Sequence, residues 1–149
     1  MKLLVIHGPN LNMLGKREPT LYGNQDFKAL ISFIKRAVKN ESGKSRKWRA
    51  VFFQSNYEGK IIDKIQSARG KFDYVIINAG AFTHTSLAIL DALKSAAVPA
   101  VEVHLTDIEK REDYRKFSYV SEYAEKTICG KGFEGYAEAV RYIAEKNPR

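Results

Sequence analysis

The sequence predicts an α/β fold in which a doubly wound parallel sheet carries helices on both faces. Short apolar runs alternate with amphipathic stretches along the 149-residue chain. The runs are rich in Val and Ile, which is typical of strands that are buried on both sides. The stretches between them reach about 10–15 residues, which is long enough for right-handed helical crossovers between parallel strands. These observations together favour the doubly wound class over an antiparallel or all-helical fold.

Five strands are predicted from the apolar runs. The first is Lys2–His7, the second covers residues 48–53, and the third covers residues 73–77. The fourth, Ala100–Val103, and a short fifth at residues 126–129 complete the set. We predict a flavodoxin-like strand order of 2-1-3-4-5.

Four helices are predicted, at residues 26–39, 57–69, 85–97 and 133–146. The first three carry apolar residues at the spacing of one helical face. These are Leu30, Phe33, Ile34 and Ala37 in the first, Ile61, Ile62, Ile65 and Ala68 in the second, and Leu87, Leu90, Leu93 and Ala97 in the third. Residues 8–25 show neither strand nor helix periodicity, and a loop of that length is often a functional lid. We expect a single domain over residues 1–149, with a lid loop at about residues 8–25.

Charge and cysteine content narrow the class of protein. The formal net charge of +8 suits an anionic partner, either a nucleic acid or a small acid. Cys129 is the only cysteine, which excludes an intrachain disulfide and a cysteine-based zinc site. The three histidines lack metalloprotease spacing, and we expect no metal. No run approaches the ~20 apolar residues of a membrane helix, so we expect no membrane partner and a cytoplasmic location.

Polar residues gather where four of the predicted strands end. The carboxyl ends of parallel strands lie along one edge of a sheet, where such sheets bind ligands. Ser55 or Asn56 fits a helix cap, but four consecutive ends rich in amides and histidines exceed what caps require. We therefore predict one shared polar cleft. Its candidate residues are His7, Gly8, Pro9, Asn10, Asn12, Gln54, Ser55, Asn56, Asn78, Gly80, Thr83, His84, Glu102, His104, Thr106 and Asp107.

Four ordered sequence blocks follow these strands and resemble a known family. The first is HGPNLNMLG at residues 7–15, continued by Arg17 and by Tyr22. The second is QSN at residues 54–56, and the third is NAGAFTHTS at residues 78–86. The fourth is EVHLT at residues 102–106, followed by Arg111 and Arg115. Together the blocks resemble the type II 3-dehydroquinate dehydratases over nearly the whole chain.

The resemblance implies an activity and an assembly. It implies dehydration of 3-dehydroquinate to 3-dehydroshikimate in the shikimate pathway, which leads to aromatic amino acids. It also implies a flavodoxin-like catalytic domain in a homododecamer built from trimers. The partner is then a small anionic substrate and not a nucleic acid, and the family uses no metal and no organic cofactor.

Five residues are expected to be catalytic by resemblance. Tyr22 is the base, and Arg17 in the same loop favours its phenolate, because an opposite charge lowers the pKa of an acid. His104 is the general acid, and Asn10 stabilises the enolate. Glu102 is two residues before His104 on one strand, so both side chains project to one face and the carboxylate can orient the ring.

The resemblance also implies which residues bind the substrate. Asn78 and the backbone N–H groups of Leu105 and Thr106 are expected to hold its carboxylate. His84 and Arg115 are expected to contact ring hydroxyls. Asp91 is expected to reach the site of a neighbouring subunit.

Two other functions fit parts of the same sequence. A flavodoxin-like binding module for a phosphate-bearing ligand would use the same edge of the sheet, although no convincing phosphate-binding loop is present. Nucleic-acid binding would follow from the +8 charge and predicts an affinity that falls steeply with salt.

Overall fold

A parallel sheet forms the centre of the computed structural model, which describes residues 1–16, 25–42 and 47–148. All of its strand pairs are parallel, and the order is β2-β1-β3-β4-β5, which confirms the predicted order. The strands are β1 Lys2–His7, β2 Arg49–Gln54, β3 Tyr74–Asn78, β4 Ala100–Val103 and β5 Lys126–Ile128.

The four predicted helices are present with slightly different ends. They are α1 Phe27–Glu41, α2 Glu58–Gln66, α3 Leu87–Ala96 and α4 Glu134–Lys146. In α1 and α3, a residue predicted to lie in the first turn caps the helix instead. The Asp26 carboxylate accepts the Ala29 N–H at 2.7 Å, and the Ser86 hydroxyl accepts the Ile89 N–H at 3.0 Å. Such caps satisfy N–H groups that a helix leaves unpaired at its start. Among the described residues, no helix is long and apolar enough to cross a membrane.

The sheet separates two apolar cores, because successive side chains of a strand point to opposite faces. The first core packs α1 and α4 against one face, and the second packs α2 and α3 against the other. Leu3, Val5 and Ile76 belong to the first core, whereas Leu4 and Ile77 belong to the second. The strand-end residues therefore receive support from two different layers of helices.

The register aligns the carboxyl ends of the strands at one edge. His7 pairs with both Gln54 and Asn78, and Glu102 pairs with Ile77 and Thr127. β1 and β3 continue to touch beyond the sheet, where the Gly8 N–H donates to the Asn78 carbonyl at 2.7 Å.

Gly8 is required by this close approach. A Cβ on Gly8 would lie 2.2 Å from the Ala79 carbonyl oxygen, a separation that backbone atoms cannot accommodate without moving. The loop after β1 then forms a 3₁₀ turn at Leu11–Met13. Part of the predicted lid, residues 17–24, lies outside the described residues, and so do Arg17 and Tyr22.

Candidate active site

A cleft opens at the carboxyl edge of the sheet, beyond the ends of β1, β3 and β4. Its cavity has a volume of about 170 Å³. The side chains and backbone of seven residues expected at the site line it. They are Asn10, Asn78, His84, His104, Leu105, Thr106 and Arg115.

An imidazole and a carboxylate form a dyad at the end of β4. Glu102 lies in the strand and His104 just beyond it, and their side chains share one face. His104 Nε2 lies 2.7 Å from Glu102 Oε1. Glu102 is fully buried, and His104 is 5% exposed and lines the cleft. The carboxylate thus fixes the ring through Nε2, while Nδ1 has no hydrogen-bond partner in the described part of the chain.

Three hydroxyl groups also donate to the buried Glu102 carboxylate. Oε1 accepts from Thr83 at 2.5 Å and from Ser118 at 2.6 Å, and Oε2 accepts from Thr127 at 3.0 Å. Burial by itself raises the pKa of Glu102. The hydrogen bond and charge of His104, with the hydroxyl hydrogen bonds, outweigh burial and hold that pKa below its ordinary value. Glu102 is therefore ionised at neutral pH despite its burial.

His84 stands beside the dyad on the 3₁₀ turn Gly80–His84. Its ring lies nearly parallel to the ring of His104, with 6.4 Å between centroids. His84 Nδ1 lies 2.7 Å from the Phe117 carbonyl, which can only accept, so Nδ1 carries the proton. Burial, with the nearby charges of His104 and Arg115, lowers the pKa of His84. His84 is thus neutral at pH 7 and carries an acceptor lone pair on Nε2.

Asn78 ends β3 and is 3% exposed at the base of the cleft. Its Oδ1 accepts the Gly80 N–H at 3.1 Å, and its Nδ2 donates to the Tyr136 hydroxyl at 3.3 Å. That hydroxyl lies 3.1 Å from His7 Nδ1. The amide is therefore held from behind by a buried polar chain.

The mouth of the cleft is cationic. Arg111 and Arg115 both line it, and each places Nε 3.5 Å from a carboxylate oxygen of the exposed Glu112. The N–H groups of Leu105 and Thr106 donate to no atom in the described part of the chain. Two guanidinium groups and two unpaired N–H groups on one cleft suit an anionic ligand.

A family model described as dehydroquinase class II matches residues 1–144. The chain belongs to this family. It is therefore an enzyme, a hydro-lyase.

Two curated relatives of the chain are both named 3-dehydroquinate dehydratase. A 3-dehydroquinate dehydratase of Clostridium botulinum (strain 657 / Type Ba4) is 50% identical over 141 residues, which cover 95% of this chain and 92% of the relative. A 3-dehydroquinate dehydratase of Geotalea daltonii is 47% identical over 146 residues, which cover 96% of each chain.

Solved structures agree with the fold of this dehydroquinase-family chain. A type II dehydroquinase from Butyrivibrio crossotus has a TM-score of 0.87 at 41% identity, covering 96% of this chain and 97% of its own. A type II dehydroquinase from Propionibacterium acnes has a TM-score of 0.89 at 33% identity, covering 97% and 96%.

Two of the predicted residues lie outside the lining of this cleft. Asp91, which is expected to reach the site of a neighbouring subunit, is exposed on α3. His7 lies beneath the cleft rather than in it, because it shares the β1 face of Leu3 and Val5. Within the described ranges, no three His, Cys, Asp or Glu side chains are placed to hold a metal ion.

Ser118, Thr127 and Tyr136 were not predicted as site residues. Ser118 and Tyr136 come from segments far along the chain, and no motif marks either as a partner of Glu102 or Asn78. Thr127 could have been predicted from strand pairing, because the register of β4 and β5 places it opposite Glu102.

Proposed function

We propose that the chain dehydrates 3-dehydroquinate to 3-dehydroshikimate through an enolate. The observation that carries the proposal is the Glu102–His104 dyad, whose ring lines an anion-suited cleft with Nδ1 unpaired by any described residue. The names of the relatives supply the substrate, and the cleft supplies groups that fit its carboxylate and its hydroxyls.

The cleft contains separate sites for the two ends of the substrate. Asn78 and the N–H groups of Leu105 and Thr106 bind the carboxylate, because each can present an N–H to an anion. His84 and Arg115 bind ring hydroxyls, with His84 Nε2 as an acceptor. This orientation brings the departing hydroxyl to His104.

The reaction begins with the base. The Tyr22 phenolate, favoured by the Arg17 guanidinium, removes the proton beside the ketone and becomes a phenol. The electron pair moves into an enolate, whose oxygen accepts a hydrogen bond from Asn10. Both Tyr22 and Arg17 belong to the segment at residues 17–24, so their roles rest on the family's motif.

The second step, loss of the hydroxyl, uses Glu102 and His104. The enolate re-forms the ketone and expels the hydroxyl one carbon further on, which takes a proton from His104 and leaves as water. The product is the conjugated enone. Glu102 stabilises the protonated ring before transfer and keeps it aimed, because it is ionised and immobilised by its hydroxyl donors.

The assembly and location complete the proposal. Asp91 is exposed on α3, away from this cleft, and we assign it to the cleft of a neighbouring subunit in a homododecamer built from trimers. The enzyme works in the cytoplasm on a small anionic substrate, with no metal or organic cofactor.

A spectrophotometric assay with 3-dehydroquinate tests the function. Purified protein is expected to generate the absorbance of the conjugated enone. Tyr22→Phe is expected to lose at least about 100-fold in kcat, because a residue that acts as base contributes about 10²–10⁴-fold. Tyr57→Phe is the matched control, since that phenol is 67% exposed and does not line the cleft. Near-normal turnover in Tyr22→Phe would overturn the base, and no enone from wild-type protein would overturn the function.

A further inference from the structure

A buried hydrogen-bonded chain lies directly beneath Asn78. His7 and Asn78 are paired neighbours at the ends of β1 and β3, and Tyr136 reaches them from α4. His7 and Tyr136 are both fully buried. Tyr136 Oη lies 3.3 Å from Asn78 Nδ2 and 3.1 Å from His7 Nδ1, so it bridges the two side chains.

The direction of each hydrogen bond follows from the groups at the two ends. The Gly80 N–H can only donate, so the Asn78 atom 3.1 Å away is the amide oxygen. The amide nitrogen therefore faces Tyr136 and donates to its oxygen. The Tyr136 proton is then free for His7 Nδ1, which accepts it as the neutral tautomer protonated on Nε2.

Burial keeps this arrangement in one protonation state. It lowers the pKa of His7 to about 3 and raises the pKa of Tyr136 above its ordinary value of 10. His7 therefore offers a lone pair, and Tyr136 keeps its proton, at neutral pH.

One N–H of Asn78 is left for the cleft. The Asn78 amide has two N–H bonds, and Tyr136 takes one of them. The other belongs to a side chain that lines the cleft beside Leu105 and Thr106, whose backbone N–H groups have no partner among the described residues. If the amide were turned over, it would present its oxygen to an anion, which is repulsive.

We propose that Tyr136 and His7 are positioning residues that lock the Asn78 amide with an N–H toward the cleft, and thereby make this end of the site selective for a carboxylate. This inference rests on the proposed function for the identity of the substrate. These buried polar side chains cost folding free energy, because His7 Nε2 is buried without a hydrogen-bond partner among the described residues. Apolar side chains of the same size would fill this volume without that penalty, which favours a role in the site.

The test compares a carboxylate ligand with its neutral amide. Quinate and quinamide, which share a ring and differ only at the carboxyl group, are titrated calorimetrically into wild-type protein and into Tyr136→Phe. Quinate is expected to bind roughly 10-fold more weakly to the variant, as for the loss of a hydrogen bond to a charged group. Quinamide is expected to change by less than about 2-fold, because a primary amide can pair with either orientation of Asn78.

Kinetics give the second readout. In Tyr136→Phe the KM for 3-dehydroquinate is expected to rise roughly 10-fold, with kcat within about 3-fold, because the dyad is untouched. Tyr74→Phe is the matched control, since Tyr74 is also a buried phenol but bonds Glu125 at 3.3 Å outside the cleft. It is expected to leave both ligands and both kinetic constants unchanged.

A pair of His7 variants keeps the inference testable if Tyr136→Phe fails to fold. His7→Asn retains an acceptor for the Tyr136 hydroxyl and is expected to preserve the preference for quinate, whereas His7→Leu removes it and is expected to lose that preference. Equal weakening of both ligands, or an unchanged preference in both His7→Leu and Tyr136→Phe, overturns the inference. Absence of enone formation by wild-type protein, with quinate selectivity intact, overturns only the proposed function. Absence of quinate binding by wild-type protein overturns the inference as well.

Discussion

Replacing Ser118 by alanine isolates one support of the buried Glu102 carboxylate. The Ser118 hydroxyl donates to Oε1 at 2.6 Å and accepts the Ser121 N–H at 3.0 Å. Ser118→Ala removes both bonds while leaving Thr83, Thr127 and His104 on the carboxylate. The substitution deletes a single oxygen atom, so it creates little cavity.

The magnitude follows from the charge on Glu102. A hydrogen bond to a charged group contributes about 1.5–3 kcal/mol, and an unpaired backbone N–H adds to the loss. We expect Ser118→Ala to lower the free energy of unfolding at pH 7 by about 2–3 kcal/mol.

The loss also has a defined pH dependence. The pKa of folded Glu102 lies below the ordinary value of 4.5, so its hydrogen bonds stabilise the fold fully above about pH 4.5. This stabilisation disappears as the pH falls through the folded pKa. The difference between wild type and Ser118→Ala is therefore expected to be constant above about pH 4.5 and to shrink only as the pH falls through the lowered folded pKa of Glu102.

Urea unfolding followed by tryptophan fluorescence measures this difference. Trp48 is the only tryptophan and is 9% exposed, so its emission reports unfolding. Protein concentrations are matched, because assembly adds to apparent stability. Ser121→Ala is the control, since within the described ranges its hydroxyl bonds only the Ser118 carbonyl, at 2.7 Å. Equal stability of the two variants at pH 7, or a difference from wild type that grows as the pH falls below about 4.5, would refute the reasoning.

Two further predictions concern Gly8 and His7. Gly8→Ala places a Cβ 2.2 Å from the Ala79 carbonyl oxygen and is expected to lower the free energy of unfolding by about 3 kcal/mol or more. Gly59→Ala, whose Cβ meets nothing within 4 Å in α2, is expected to raise it by about 0.5–1 kcal/mol, and similar thermal midpoints for the two variants would contradict the steric argument. The pKa of folded His7, about 3, lies below its ordinary 6.5, so wild-type stability is expected to fall between pH 6.5 and 3 by up to about 1.4 kcal/mol per pH unit. In His7→Asn, denaturant unfolding across this range is expected to lack that component, and identical slopes would rule out His7 as the source.

The strands were predictable because their burial is continuous. Lys2–His7 and Ala100–Val103 have the predicted ends, and both are buried almost throughout. Helix starts were less predictable, because Asp26 and Ser86 precede the first turn of their helices and cap it by accepting a backbone N–H. Apolar periodicity carries no information on such caps.

The site was predictable where its partners are close in sequence. Glu102 and His104 are two residues apart on one strand, and alternation alone puts them on one face. Ser118 and Tyr136 reach the site only through the packing of distant segments. His7 was predicted in the cleft but lies beneath it, because the end of an apolar run marks the end of β1 but not the face that the side chain takes.

The two faces of the sheet support different side chains of the site. Support for Asn78 comes through Tyr136 from the α1 and α4 layer, whereas Glu102 is held by Thr83 and Ser118 on the opposite side of the sheet. Under the proposed function, substitutions in the layer of α1 and α4 are expected to change the affinity for the anion without affecting proton delivery, and the reverse is expected for the other layer. A fold of this kind lets recognition and chemistry evolve along separate paths, with the sheet as the partition between them.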